Sequence, residues 1–230
     1  MLVEGVRAVS EALDAGADPV FGVTSPSLDT TEAGVELGGR LRCACETAVV
    51  EDDDLRMLAD TDHPQGVLLV CREPDPGPEL LPETGRMLVL DALQDPGNLG
   101  TLVRSSVAFG IDAVVCLDGT VDPWGPKAIR ASAGAAFRIP ILRAAADSAV
   151  DAMQAAGAHV VVATADGQRA RDAMGGDHPL CALVVGNEGA GVRDSVRAIS
   201  DAAVAVPMSG PAESLNAGVA GSILMYEWTR

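Results

Sequence analysis

From residue 87 onward, short apolar runs alternate with stretches of helical spacing. MLVLD (87–91), DAVVCL (112–117), HVVVAT (159–164), CALVVG (181–186) and AAVAV (202–206) are close to continuously apolar. Strands covered by helices on both faces read this way, whereas strands with one wet face alternate. Residues 98–109, 126–132, 148–156 and 192–199 carry helix patterns, with a weaker one after residue 164. Gly110 and Gly157 stand where left-handed C-caps belong. FRIPIL (137–142) reads as a strand-like connector. The alternation predicts an open, mostly parallel α/β sheet over residues 87–230.

The first 71 residues repeat the alternation on a smaller scale. Helices are expected at 6–15, 30–38 and 52–59, and strands at 20–23, 41–45 and 66–71. Residues 72–86 hold four prolines and two glycines, a composition that suits an interdomain linker. The expected division is a small α/β unit (1–71), the linker (72–86) and a larger α/β unit (87–230).

The C-terminal stretch, residues 204–230, gathers the most information. A strand stops at Pro207, a loop follows, and a helix is expected from Ser214, whose hydroxyl suits an N-cap. Val219, Ile223 and Tyr226 fall at i, i+4 and i+7, widened by Leu215 and Leu224 into an expected core face. Ala217, Gly221 and Met225 form a second row with room for another backbone. Gly218 and Gly221 each cost about 1 kcal/mol in a helix interior, which close packing would justify.

Composition narrows the class. Only 3% of the 230 residues are aromatic against 48% hydrophobic, so the core is aliphatic. No apolar run reaches membrane-spanning length, and the N-terminus lacks a signal-peptide pattern. The five cysteines (43, 45, 71, 116, 181) are odd in number and lack metal-ligand spacing, which points to reduced, buried thiols in a cytoplasmic protein without structural zinc. The net charge of −17 opposes a nucleic-acid partner on simple electrostatics. It is uneven, however: residues 1–85 hold 18 acids and 5 bases, while residues 96–145 hold 5 bases and 3 acids. Arg104, Lys127 and Arg130 lie in that basic stretch and are candidate RNA contacts.

Three loops follow strand ends, where open α/β sheets place their ligands. In Asp95–Ser105, Pro96-Gly97 makes a turn, Asn98 stands at an expected N-cap, and Arg104 lies one and a half turns into the helix. In Gly186–Gly191, glycines between strand and helix suggest a phosphate cradle. The order is not G-x-G-x-x-G, and Glu188 would put a carboxylate where a pyrophosphate belongs. A cofactor bearing hydroxyls and positive charge fits better, and S-adenosyl-L-methionine has both. The third loop, Met208–Asn216, brings Ser214, Leu215 and Asn216 to the opening of the last helix.

DPGNLGTLVRS, VVGNEGAGV and VPMSGPAESLNAGVAGSILMYE resemble, in order and spacing, motifs 1, 2 and 3 of the SpoU/TrmH branch of the SPOUT RNA methyltransferases. VEG near the start and HPQGVLLV (63–70) resemble the ends of the small RNA-binding domain found upstream in that family. The resemblance implies methyl transfer from S-adenosyl-L-methionine to a ribose 2′-hydroxyl of ribosomal or transfer RNA. It also implies a C-terminal trefoil knot and a homodimer with its site near the subunit interface. By matching motifs, the cofactor pocket would use Gly186, Val206 and Leu215, lined further by Thr164, Asn187, Met208 and Ser214. Asn98, Arg104, Glu188 and Asn216 match the polar catalytic set. The chain departs from the third motif at Ala217-Gly218, where the family carries a small β-branched residue and Ser. It also begins close to VEG, so the family's upstream segment is expected to be short. Two other readings stay open on the residues: a nucleotide-dependent α/β enzyme using the 186–191 loop, and a non-catalytic RNA-binding module.

Overall fold

The computed structural model describes residues 1–74, 81–176, 178–211 and 214–230. The first unit runs β1 (Leu2–Glu4), α1 (Val6–Asp14), β2 (Pro19–Thr24), a 3-10 turn (Pro26–Thr30), α2 (Glu32–Ala44), β3 (Glu46–Val49), α3 (Asp52–Leu58) and β4 (Val67–Cys71). Its sheet has the order β1-β4-β2-β3, with β4 antiparallel to both neighbours. The expected strand at 41–45 is a correction: Leu41 to Ala44 close a longer helix, and the strand begins at Glu46. The Thr31 hydroxyl accepts from Gly34 N and starts that helix. Gly34, Leu37, Gly38 and Leu41 then recur at helical spacing on its buried side.

The second unit runs β5 (Gly85–Asp91), α4 (Pro96–Phe109), β6 (Ala113–Leu117), α5 (Pro126–Ser132), a 3-10 turn (Ala135–Arg138), β7 (Ile141–Ala144) and α6 (Ala146–Ala155). It continues through β8 (His159–Gln168), α7 (Ala170–Ala173), β9 (Leu180–Gly186), α8 (Asp194–Arg197), β10 (Ala202–Val204) and α9 (Ala217–Trp228). The sheet order is β10-β8-β9-β5-β6-β7 and its pairings are parallel. Along β5, Leu88 and Leu90 enter the core shared with α4 and α9, while Met87 and Val89 enter the core shared with α6. Both faces are covered, which is why this strand shows no alternation in the sequence.

Of the linker expected at 72–86, residues 75–80 lie outside the described residues, and Gly85 and Arg86 already belong to β5. The 137–142 connector divides into the end of a 3-10 turn and the start of β7. The helix expected at 192–199 shortens to Asp194–Arg197, because Arg193 is extended and gives its N–H to Asp91 Oδ2 at 2.7 Å.

The last helix differs from expectation in start and face. It begins at Ala217, capped by Asn216, whose Oδ1 accepts from Val219 N at 3.1 Å; Ser214 lies outside it. Residues 212 and 213 of the preceding loop lie outside the described residues. Val219 and Tyr226, expected in the core, are exposed at 45% and 44%, while Gly218, Gly221, Leu224, Met225 and Trp228 are buried. The row of small residues decides the orientation, because it lets α4 approach. A Cβ on Gly221 would stand 2.5 Å from Leu102 Cδ2, and one on Gly218 would stand 3.2 Å from Asn98 Cα. Ser105 Oγ and Ser222 Oγ share a hydrogen bond of 2.7 Å further along, so the two helices run side by side in the same direction.

The two units meet through α5 and the 3-10 turn that follows it. Ile129 is fully buried in the core of the first unit. Arg130 pairs with Asp60 at 2.6 Å, and Arg138 pairs with Glu11 at 2.6 Å. The cysteines correct expectation in part: Cys71, Cys116 and Cys181 are buried, Cys45 is half-buried and Cys43 is exposed, all as free thiols. Burial pushes Cys116 up to about 12.

Candidate active site

The ends of β5 and β9 lie side by side, Asp91 opposite Gly186, so the loops that follow them are neighbours. Asn187 organises the second loop. Its backbone N–H and C=O both pair with Gly191, its Oδ1 accepts from Gly189 N and Ala190 N at 2.9 Å each, and its Nδ2 donates to Ala92 O at 2.9 Å. The N–H groups that could have cradled a phosphate are therefore occupied within the loop. That removes the main support for a nucleotide-phosphate site.

Glu188 points across to the first loop. Its carboxylate accepts from Asn98 Nδ2 at 2.8 Å and from the backbone N–H groups of Gln94 and Asp95 at 3.3 Å each. Burial pushes the carboxyl up, but the Asn98 amide and the backbone donors outweigh it and hold it below its ordinary value. Asn98 is not the N-cap expected from sequence. Asp95 is, accepting from Asn98 N at 2.7 Å. The Asn98 side chain, 7% exposed, is thereby free to face Glu188.

The third loop closes the site. Gly186, Asn187, Glu188, Val206, Met208, Ser214, Leu215 and Asn216 line one cavity of about 460 Å³, with Thr164 on its β8 side and Ala217, Gly221 and Leu224 of α9 as its floor. All seven residues nominated for the cofactor are in this lining. So are Glu188 and Asn216 of the polar set, and Asn98 joins through Glu188. Asn98 Oδ1 and Asn216 Oδ1 each lie 3.2 Å from where a Cβ on Gly218 would stand. A side chain at 218 would thus crowd both asparagine oxygens, and the glycine leaves that space open.

Three nominated residues lie elsewhere. Arg104 is exposed on α4, about 9 Å along the axis from Asn98 and rotated away from it. Lys127 is exposed on α5. Arg130 is engaged with Asp60 and stands 3.8 Å from buried Glu4, so it serves the contact between units.

Sequence reading missed a second layer beneath the loops. Asp91, 1% exposed, pairs with Arg193, which also reaches Asp118. A carboxylate ending an otherwise apolar strand was the available signal. A buried Asp requires a partner, but a partner about a hundred residues away is not visible from spacing.

The chain is similar to known proteins over its full length. A profile described as the SpoU rRNA methylase family matches residues 85–226. A 23S rRNA (guanosine(2553)-2′-O)-methyltransferase of Bacillus subtilis, RlmP, is 36% identical over 228 residues, covering 98% of this chain and 86% of that protein. An uncharacterised tRNA/rRNA methyltransferase of Mycolicibacterium vanbaalenii is 40% identical over 169 residues, 73% of this chain, which spans about half of that relative's length. The crystal structure of the SpoU methyltransferase AviRb from Streptomyces viridochromogenes, in complex with AdoMet, superimposes with a TM-score of 0.86 at 28% identity. The match covers 100% of this chain and 89% of that one.

Proposed function

This chain belongs to the SpoU rRNA methylase family, and on that premise we propose that it methylates a ribose 2′-hydroxyl of ribosomal or transfer RNA from S-adenosyl-L-methionine. The carrying observation is the cavity lined by Gly186, Asn187, Glu188 and Gly191 on one side and by Val206, Met208 and residues 214–217 on the other, tied through Glu188 to Asn98. Its walls suit the cofactor: apolar Val185, Val206, Leu215 and Leu224 for an adenine, backbone edges at Gly186 and Gly191, and no free phosphate cradle.

When bound, S-adenosyl-L-methionine supplies an already activated methyl group, so the chain's work is alignment. Proximity and orientation contribute about 7–11 kcal/mol in such reactions. Asn98 and Asn216 orient the ribose beside the cavity, and Glu188 holds Asn98 in place. Arg104 keeps its proton, since a guanidinium does not titrate near neutrality; it grips the phosphate beside the target ribose with a bidentate fork. Lys127 adds backbone charge along the same RNA.

Residues 1–71 form the RNA-binding unit and residues 85–230, from the start of β5, the catalytic unit, whose C-terminal segment is threaded as a trefoil knot. Two copies pair through the exposed sides of α4 and α9, where Arg104, Val219 and Tyr226 lie, so that Arg104 serves a site completed by the pair. The protein works in the cytoplasm, with its RNA. Among the described residues no helix is long and apolar enough to cross a membrane.

Thermal-shift titrations with S-adenosyl-L-methionine, NAD and ATP test the cofactor assignment. Stabilisation by the first alone is expected, and stabilisation by ATP or NAD instead would refute it.

A further inference from the structure

Arg193 follows the glycine-rich loop by two residues and sits where β5, β6 and β9 end. Its backbone N–H donates to Asp91 Oδ2 at 2.7 Å and its Nε to Asp91 Oδ1 at 2.5 Å. Its Nη1 donates to Asp118 Oδ1 at 3.0 Å and its Nη2 to Asp118 O at 2.7 Å. Asp118 Oδ1 also accepts from Ala146 N, the first residue of α6, at 2.7 Å. One guanidinium therefore ties the ends of β5 and β6, and through Asp118 the start of α6, to the segment that follows the glycine-rich loop. Asp91 is almost wholly buried, and a buried carboxylate is costly unless fully paired, so the pair has one favourable arrangement.

This arrangement reaches the cavity through the backbone. Ala92 follows Asp91 with a φ of 54°, and its carbonyl accepts from Asn187 Nδ2. Gly191, two residues before Arg193, pairs in both directions with Asn187. The loop from Asn187 to Gly191 is thus strung between Ala92 at one side and Arg193 at the other. Gly186, Asn187, Glu188, Gly189 and Gly191 line the cavity.

We infer that Arg193 is a positioning residue for cofactor capture: with Asp91 and Asp118 it presets the 187–191 wall of the cavity before S-adenosyl-L-methionine arrives. The inference rests on the assignment of that cavity to the cofactor. Arg193 touches neither cofactor nor RNA; it acts through the loop. Lysine cannot replace it, because an ammonium has no planar fork to reach two carboxylates and a carbonyl together.

The test measures S-adenosyl-L-methionine binding by calorimetry and methyl transfer to RNA, on the full chain, for the unaltered protein, Arg193→Lys, Asp118→Asn and their combination. Arg193→Lys is expected to raise the Kd at least tenfold, with kcat at saturating cofactor within threefold of the unaltered protein. Asp118→Asn is expected to raise the Kd about threefold, and the combination to be no weaker than Arg193→Lys alone. A purely structural residue would lower the melting temperature and leave the Kd where it was. That result overturns the inference, as does a loss of kcat at unchanged KM for the cofactor. Asp118→Asn keeps the Asp91 pair, so if Arg193→Lys fails to fold, an unchanged Kd in Asp118→Asn is decisive against it. Absence of binding by the unaltered protein would overturn the cavity assignment itself, whereas equal binding by unaltered and Arg193→Lys protein overturns this inference alone.

Discussion

The Asn98 side-chain amide donates to Glu188 Oε1 at 2.8 Å, joining the start of α4 to the loop after β9 across 90 residues of sequence. Glu188 takes two further donors from the backbone of the first loop. Its carboxylate is therefore a brace between two loops, and the Oδ1 of the residue it braces lies, like Asn216 Oδ1, 3.2 Å from where a Cβ on Gly218 would stand.

Glu188→Gln keeps the size of the side chain but turns a donor toward other donors. Methyl transfer is expected to fall at least tenfold in a labelled-methyl assay. Stability should fall by no more than about 1 kcal/mol, because the group is largely exposed and its interactions are screened. The pH dependence has a defined sign. A carboxyl held below its ordinary value of 4.5 contributes fully above that value and loses its contribution as the pH falls through the lower folded value. The stability gap between the two proteins, read by urea unfolding, should be constant from neutral pH down to about 5 and close in more acidic solution.

Gly186→Ala and Gly221→Ala should separate cleanly. A Cβ at 186 would lie 2.3 Å from Gly191 C and 2.4 Å from Gly191 O, which are backbone atoms held by the loop. A Cβ at 221 would meet the Leu102 Cδ2 side-chain tip at 2.5 Å, which can turn aside. Calorimetry is expected to find cofactor affinity lowered more than tenfold in Gly186→Ala. Gly221→Ala should lose about 1–3 kcal/mol of stability, as overpacked sites do, with a smaller change in affinity.

Arg104→Lys tests whether the exposed guanidinium acts on RNA rather than on the cofactor. Cofactor affinity should stay within twofold, since Arg104 is outside the cavity lining. Methyl transfer should drop about a hundredfold, because an ammonium cannot reproduce the fork. Equal loss of both quantities would show the assignment to be wrong.

Arg130→Ala probes the contact between units. The change removes the pair with Asp60 and a cation 3.8 Å from Glu4, whose side chain is 3% exposed. A loss of about 1–3 kcal/mol is expected in urea unfolding. A weakened RNA interaction at unchanged stability would instead return Arg130 to the RNA contacts.

The parallel sheet was legible because both faces of β5, β6 and β9 are covered, which leaves unbroken apolar runs, and because Gly110 and Gly157 end their helices in the left-handed conformation, at φ 68° and 61°. The cavity residues were legible because glycines and polar groups cluster in the loops that follow the apolar strands. Other features depended on contacts that spacing does not encode. Leu41 packs against Gly22 of β2 from the end of α2, a contact that its neighbours in sequence do not reveal. Helix α9 is apolar on nearly every side, so periodicity could not identify the side α4 would cover; Gly218 and Gly221 did. Asp95 and Asn98 are both good caps, and the choice between them followed from Glu188, which engages the Asn98 amide. Arg193 and Asp91 are ordinary residues in sequence that acquire their role only when β5 and β9 pair.

The most direct measurement is the chemical position of the transferred methyl. The purified chain is incubated with labelled S-adenosyl-L-methionine and ribosomal or transfer RNA, and the RNA is digested to nucleosides for mass analysis. The expected product is a single 2′-O-methylated nucleoside, its yield in a fixed time reduced by Gly186→Ala at limiting cofactor and by Arg104→Lys at any cofactor concentration. Label on a base, or no label from protein that binds the cofactor, would contradict ribose methylation at this site.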